Sequence, residues 1–476
     1  MQSRRDLYQA HRLMMQRVGL ALLQGEPDVA ESPMRRLSVG VLGGATLAIV
    51  LIGVFAIVGL IRPGGAKGLD KGDTIIIEKE TGTKYIYDTN SRKLLPVANY
   101  ASALLALNKK GTKPRSVSRK SLNKFERGPM IGIAGAPDSL PAADQLIRGP
   151  WSVCVREADG GTGVRRPMTA LAAGRKVGGR TLPAGEALVV QAAGQSWVIW
   201  KDRRMSLRLP PAQVSALTGG AQPAQVAPAW LNSIPATGDF AAPQVPGQRG
   251  RQVRGPGGQE ARVGQIFKAD TGGGTNWYVT LDDGLAQISG TQARLLLSDP
   301  ATKAAYPGRL AEALPTDMPS ATATQSRTRL YSDALPATMP KFVQWTTTEP
   351  LCAVYSGGTS TTAQLTLGGQ LPPPSVTALG VGTSGGGAAV DQLVLPPGGA
   401  SLVRLAPGAG AAGAVGSLSI INDQGIRYAI PSAEIAANLG YDAAKAAPVP
   451  ASVLHLIPAG PALDPKAATT PVRRAG

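Results

Sequence analysis

Reactive side chains are sparse in this sequence, and their spacing keeps them from cooperating. The two histidines, His11 and His455, fall on either side of a long apolar run, so no His pair can bind metal or serve a nucleophile in one compartment. The chain has no Gly-Lys dipeptide, which removes the phosphate-cradling loop and its lysine. Gly272 to Gly274 and Gly385 to Gly387 lack the G-x-G-x-x-G context between a strand and a helix and read as turns. Asp282 and Asp283 are adjacent; as an acid/base pair they would need an enclosed cleft to separate their pKa values, and a hairpin tip suits them better. Trp197, Trp200 and Trp277 could form a sugar-binding shelf, but core packing is the better reading. The expectation is a chain that is not an enzyme, with no cofactor and no resident metal.

That leaves Cys154 and Cys352. Paired cysteines persist in oxidising compartments, so a bonded pair suits an exported domain and two free buried thiols suit a cytosolic one. If the two bond, the closed loop restricts the unfolded ensemble by about 5 kcal/mol in the chain-entropy model.

The element that decides the compartment is the stretch from Leu37 to Ile61, 25 residues without a charge, bounded by Arg35, Arg36 and Arg62. At about 1.5 Å of helix rise per residue it exceeds the roughly 30 Å hydrocarbon core of a bilayer. It is too long for a cleavable signal and runs into Arg-Pro-Gly-Gly without a small-residue cleavage site, so it reads as a retained anchor that crosses once. Orientation stays open: Arg17, Arg35 and Arg36 on one side balance Arg62, Lys67, Lys71 and Lys79 on the other.

The formal charge of +18 invites a nucleic-acid reading, yet its distribution argues otherwise. Residues 62–130 hold 15 Lys/Arg against 6 Asp/Glu, a net +9, so half of the excess lies just beyond the anchor. Aromatics make up only 4% of the chain and none interleaves "NKKGTKPRSVSRK", so base-stacking platforms and a nucleic-acid partner are not expected. The run is either a solvated basic linker or a surface for anionic headgroups or a partner.

Four stretches after the anchor share one pattern: Thr74 to Leu107, Ala187 to Leu217, Gln265 to Leu297 and Ser401 to Tyr441. Each opens with a Val/Ile/Leu-rich run, then a Gly-containing loop, a second and often aromatic run, an Asp-bearing turn, a third alternating run and an Ala/Leu-rich stretch at helical spacing. The pattern predicts strand, strand, strand, helix, with the helix covering one apolar face. Segments resembling "LNKF", "LNSI" and "LHLI", from Leu122, Leu231 and Leu454, follow the first, second and fourth; the third has no convincing equivalent. Each cysteine lies in a segment between modules, and bonding would join those segments into a central β-rich core from which the modules project. The tail from Pro448, with its prolines, is expected to lie on the surface as an extended strap and not as a helix. Before the anchor, Leu7, Ala10, Met14, Val18 and Ala21 fall on one side at helical spacing, with Arg5 and Arg12 on another. They predict a short amphipathic helix that lies on the membrane or docks on a cytosolic neighbour, docking being the preferred reading.

Taken in order, "RRDLYQAHRLMMQRVGLALLQGEPD", one anchor, "GPMIGIAGAPDSLP", "WSVC", "PLCAVY" and "IPAGPALDP" resemble EccB, the membrane-anchored core component of type VII (ESX) secretion systems. The resemblance covers essentially the whole chain. It implies a cytosolic N-terminus and a periplasmic C-terminal domain in the inner membrane. That domain would be elongated, with four repeats around a disulfide-bonded core holding Cys154 and Cys352. It further implies assembly with the ATPase EccC, with EccD and EccE, with further EccB copies and with the mycosin protease, in a pore complex that exports small helical-hairpin WXG-motif proteins. Membrane lipids would surround the anchor. Some members of the family are described as ATPases, which the missing phosphate loop argues against here. The expected fold class is α+β, mainly β outside the membrane. Its parts are a cytosolic helix and linker at 1–36, a transmembrane helix at 37–61 and a linker with module one at 62–121. Core segments follow at 122–180 and 316–395, module two at 181–221, a Pro/Gly-rich linker at 222–261, module three at 262–315, module four at 396–445 and the strap at 446–476. The function this implies is a structural subunit of the secretion pore. The alternatives are a cell-wall-binding scaffold and, less favoured, a nucleotide hydrolase.

Overall fold

A computed structural model describes residues 3–24, 33–61, 68–159, 163–356, 362–372, 389–406 and 417–472; Gly385 to Gly387 lie outside them. The chain divides into two units, Met1–Leu69 and Asp70–Gly476. It is a mixed α+β protein with, among the described residues, one apolar helix of spanning length near its N-terminus and a body built mostly of β-sheet.

The first unit holds helices α1 (Arg4–Gln24) and α2 (Pro33–Ile61). Ser3 starts α1 by a reciprocal cap: its Oγ accepts from Arg5 N at 3.1 Å while Asp6 Oδ2 accepts from Ser3 N at 3.1 Å. The apolar part of α2, Leu37–Ile57, is 21 residues long, about 32 Å at 1.5 Å per residue, and none of it is buried within the chain. Thr46 satisfies its hydroxyl inside the helix, donating to Leu42 O at 2.7 Å.

The second unit opens with strands β1 (Ile75–Glu78), β2 (Lys84–Asp88) and β3 (Lys93–Val97), helix α3 (Tyr100–Leu107), strand β4 (Pro114–Val117) and the short α4 (Arg119–Leu122). The sheet order is β3-β2-β1-β4: an antiparallel meander whose helix crosses over to add β4 parallel to β1. After α4 the chain crosses back, and Arg127 bridges Leu94 of β3 in parallel. The body then continues through β5 (Trp151–Asp159), β6 (Arg165–Ala173) and β7 (Arg180–Thr181).

The second sheet repeats the first. It comprises β8 (Glu186–Ala192), β9 (Gln195–Trp200), β10 (Arg203–Leu207), α5 (Pro211–Leu217), β11 (Ala224–Gln225), α6 (Pro228–Ser233) and β12 (Ala236–Asp239), in the order β11-β8-β9-β10-β12. A small hairpin of β13 (Gln252–Arg254) and β14 (Glu260–Arg262) precedes the third sheet. That sheet has β15 (Ile266–Thr271), β16 (Gly274–Leu281), β17 (Gly284–Ile288), α7 (Gly290–Ser298), β18 (Leu314–Pro315) and α8 (Met318–Ala323), ordered β17-β16-β15-β18. Gly284 (φ +138) admits a close approach there. A Cβ would sit 2.2 Å from Thr324 O, which accepts from Leu285 N and anchors the returning chain.

After β19 (Lys341–Phe342) come β20 (Leu351–Tyr355), β21 (Gln364–Leu367) and β22 (Gln392–Val394), which join β5 to β7 in one sheet ordered β22-β6-β5-β20-β21-β7. Cys352 stands directly opposite Cys154 across the β20–β5 pair, and the two are disulfide-bonded over a separation of 198 residues. The fourth sheet has β23 (Ala400–Leu405), β24 (Leu418–Asn422), β25 (Arg427–Ile430), α9 (Ala433–Asn438), β26 (Ala447–Val449) and α10 (Ala451–Leu454), ordered β25-β24-β23-β26. Helix α11 (Pro465–Ala468) follows.

Several expectations need correction. The four sheets are not three strands under one helix; each gains a strand parallel to its first, and a second short helix lies beyond that strand. Strand alternation therefore buries both faces. In the third sheet Ile266 and Val279 pack with α7 residues Ala293 and Leu296, while Phe267 and Tyr278 pack with Ala321 and Met318 of α8. Helix α8 is also the equivalent that the third stretch was expected to lack. The span 222–261, expected to be only a linker, supplies β11, α6 and β12.

The C-terminal stretch is not a surface strap. It forms β26, α10 and α11, and it buries Val453, Leu454, Leu456 and Ile457 in the central core and Leu463 beside α3. Its prolines start these short helices: Pro465 occupies the first turn of α11 and Pro450 immediately precedes α10. Nor do the modules simply radiate from the core. The central sheet's face (Trp151, Val153, Leu351) packs against the second and fourth sheets through Trp230, Ile199, Val403 and Leu454. The first sheet instead shares a core with the fourth, Leu104 and Leu105 meeting Leu402 and Ile420, and α5 of the second sheet touches α7 of the third.

Leu454→Ala should lower stability by about 2–5 kcal/mol, read as a shifted urea midpoint by tryptophan fluorescence; a surface strap would lose about 0.5 or less. Replacing both cysteines by alanine should cost about 5 kcal/mol in the same assay if loop closure dominates.

Candidate functional site

The five residues singled out for docking lie on α1 as their spacing predicts. At 3.6 residues per turn Leu7, Met14 and Val18 fall within one narrow arc, and they are 65%, 68% and 48% exposed. Arg5 and Arg12 lie on the far side and are also exposed. Three residues not singled out, Tyr8, Met15 and Leu22, are exposed on the same side and widen the apolar face; continuing the helical count by one more residue would have found them.

The carboxylates of the body are engaged in holding structure. Asp282 and Asp283 form the two-residue tip between β16 and β17, where Leu281 opposes Gly284. Asp282 is ion-paired with Arg251. Asp283 accepts from Ser326 Oγ at 2.6 Å and Arg327 N at 3.2 Å, and the serine hydrogen bond holds its pKa below the usual carboxylate value. Glu78, buried on β1, accepts from Arg119 Nε at 2.5 Å and Tyr85 OH at 3.1 Å; the guanidinium bond lowers its pKa against the opposing effect of burial. An open groove beside α7 is lined by Leu297, Lys303, Tyr306, Arg309 and Leu310, and its carboxylate, Asp299, is tied to Arg249 at 2.7 Å. Among the described residues no group of three or more His, Cys, Asp or Glu is placed to hold a metal ion.

Trp200, one of the shelf candidates, is 6% exposed and donates its Nε1 to Ala184 O at 2.7 Å, while Trp197 and Trp277 are half-buried against the cores. The quoted motifs serve as clasps. In "GPMIGIAGAPDSLP" Ile133 N donates to Ser102 Oγ at 2.9 Å, Asn99 Nδ2 donates to Ile133 O at 2.7 Å, and Asp138 accepts from Tyr100 N at 3.0 Å and Lys84 Nζ at 2.9 Å. The chain's far end returns to the same place: Pro471 bridges Ile131, and Val472 N donates to Met130 O at 2.9 Å. In "PLCAVY" Tyr355 OH donates to Ser233 O at 2.5 Å, and burial pushes the phenol up to about 12.

A family model described as the type VII secretion system ESX-1 transport TM domain B matches residues 2–472. The chain belongs to the EccB family. It is 26% identical over 471 residues to the protein named ESX-1 secretion system ATPase EccB1 of Mycolicibacterium smegmatis (strain MKD8), covering 96% of this chain and 92% of that one. It is 29% identical over 444 residues to ESX-2 secretion system ATPase EccB2 of Mycobacterium tuberculosis (strain ATCC 25618 / H37Rv), covering 89% and 86%. A chain of an intact ESX-5 inner membrane complex has the same fold, with a TM-score of 0.64 at 22% identity over 100% of this chain and 96% of that one. A chain of the EccB3 dimer from the ESX-3 core complex does too, with a TM-score of 0.63 at 24% identity over 83% and 100%. In this EccB chain the stretches "GPMIGIAGAPDSLP" and "PLCAVY" fall where separate parts of the body are fastened together.

The depressed pKa of Glu78 gives a signed expectation. Its stabilisation is complete above the unfolded value of about 4.3 and is lost as pH falls through the lower folded value. Glu78→Gln should therefore lower the denaturation midpoint at pH 7, and the gap to the parent should shrink as pH falls through the lowered folded value.

Proposed function

We propose that this EccB chain is a structural subunit of a type VII secretion inner-membrane complex. In this reading α1 grips the cytosolic machinery, α2 anchors the chain and the sheet-rich body builds the periplasmic vestibule through which small helical-hairpin WXG-motif proteins leave. One observation carries it: a family match from residue 2 to residue 472 on a chain with, among the described residues, a single helix of spanning length, an exposed amphipathic helix before it and a cross-linked body after it. The four sheets are the repeat modules of the body, and the segments bearing Cys154 and Cys352 are the core they surround.

The disulfide favours an oxidising location for the body and so supports the reading with a cytosolic N-terminus. The partners that fit are EccC, EccD, EccE, the mycosin protease and further EccB copies, with membrane lipids around α2. Arg5, Leu7, Arg12, Met14 and Val18 make the cytosolic contact. A wall-binding role is less well supported, because Trp200 is committed to the core. Hydrolysis is not favoured either: relatives carry ATPase in their names, but Asp282, Asp283 and Glu78 here are committed to structural partners.

Deleting Met1 to Asp28 should release the chain from its complex on native gels while the body keeps its fold by circular dichroism; an intact complex would refute the docking role. Leu7→Asp combined with Met14→Asp should reproduce the release. Purified full-length chain should show no ATP turnover above that of a mock preparation, and turnover retained through repeated purification would restore the enzymatic reading.

A further inference from the structure

The lysines that follow α3 have no part in the reading above. Helix α3 ends at Asn108 in the left-handed conformation (φ 48), and the Oδ1 of that residue accepts from Asn438 Nδ2 at 2.6 Å. The turn is thus pinned by the fourth sheet's helix. It presents Lys109 and Lys110 to solvent, and Lys113, also exposed, follows where the chain enters β4. None of the three is ion-paired among the described residues.

Their position follows from strand direction. β4 is parallel to β1, so the N-terminal ends of both strands lie together, with Ile75 opposite Pro114. Thr74 Oγ1 donates to Lys113 O at 2.8 Å. Thr74 is also where the segment arriving from α2 joins the first sheet. Seven residues separate Ile61 from Leu69, a reach of no more than about 30 Å at about 3.3–3.6 Å per residue. The lysine turn therefore sits at the tethered end of the body. The joining segment adds Arg62, Lys67 and Lys71 and the carboxylates Asp70 and Asp73, so in sequence six cations stand against two anions in these two stretches.

We propose that Lys109, Lys110 and Lys113 form a docking surface for the anionic headgroups of the bilayer that α2 crosses, holding the first sheet against the membrane. The proposal rests on the membrane-anchored reading. Lysine suits the role because its ammonium is a point charge on a long stem that needs no fixed acceptor geometry. Each lysine near an anionic surface favours the docked state by about fivefold, and three together by about a hundredfold, an attraction that salt screens.

The test uses the full chain reconstituted in vesicles of phosphatidylcholine alone or with phosphatidylglycerol, treated with a membrane-impermeant amine-reactive reagent and read by mass spectrometry. Lys341 and Lys466 report whether the body is accessible outside an intact vesicle, and so test the anchoring separately from the docking. With the anionic lipid, modification of Lys109, Lys110 and Lys113 should slow at least severalfold and recover at high salt, while Lys341 and Lys466 stay unchanged. Hydrogen exchange of backbone amides 109–116 should slow in parallel, and the triple variant Lys109→Gln, Lys110→Gln, Lys113→Gln should abolish that slowing while keeping the circular dichroism of the parent. Equal modification in the two lipid mixtures overturns the proposal. So does protection that is the same in neutral vesicles, which would mark a protein neighbour.

Discussion

Where β5 meets β20, two stretches of chain 198 residues apart lie side by side in register, and Cys154 bonds Cys352 across the pairing. Each stretch supplies three strands of the same sheet, and neither set makes a closed layer alone. The second and third sheets lie in the loop this bond closes, while the first and fourth lie outside it. Loop closure over such a length is costly in an unfolded chain, so the covalent link removes an entropic burden that short strands could not easily offset by pairing.

The packing order follows from that seam. One face of the central sheet receives the second and fourth sheets, which in turn touch the third and the first. Sheets far apart in sequence become neighbours, and all four can bury both faces. A sheet covered on one side only would leave residues such as Phe267, Ile76 and Leu188 facing water, and each of these is at most 1% exposed.

Much of the meander and its first helix was legible because the signals are local. Alternation set the strands, Asp-bearing turns closed them, and Ser289 and Asn99 cap α7 and α3 through their side chains. The crossover strands were not legible, since Leu314–Pro315 and Ala224–Gln225 are two residues each, too short for any period, and their parallel partners are remote in sequence. Helix α8, "MPSATA", hides for a different reason: it is small and polar, with its Asp317 cap as the main cue. In the tail, proline signals a chain breaker by composition, yet Pro465 marks the first turn of a short helix. On α1 the apolar arc was visible from spacing alone, while its full width needed Tyr8, Met15 and Leu22.

Pro471 and Val472 close onto Ile131 and Met130, so the first sheet, which Val97 bridges to Ile131, shares a clasp with residues more than 300 positions further along the chain. Domains emerge and fold from the N-terminal side during synthesis. Here the first sheet of the body, which precedes the other three in sequence, gains this clasp only once residues 471 and 472 are present. A body truncated before Pro471 would therefore lose a contact of its first sheet, at the opposite extreme of its sequence.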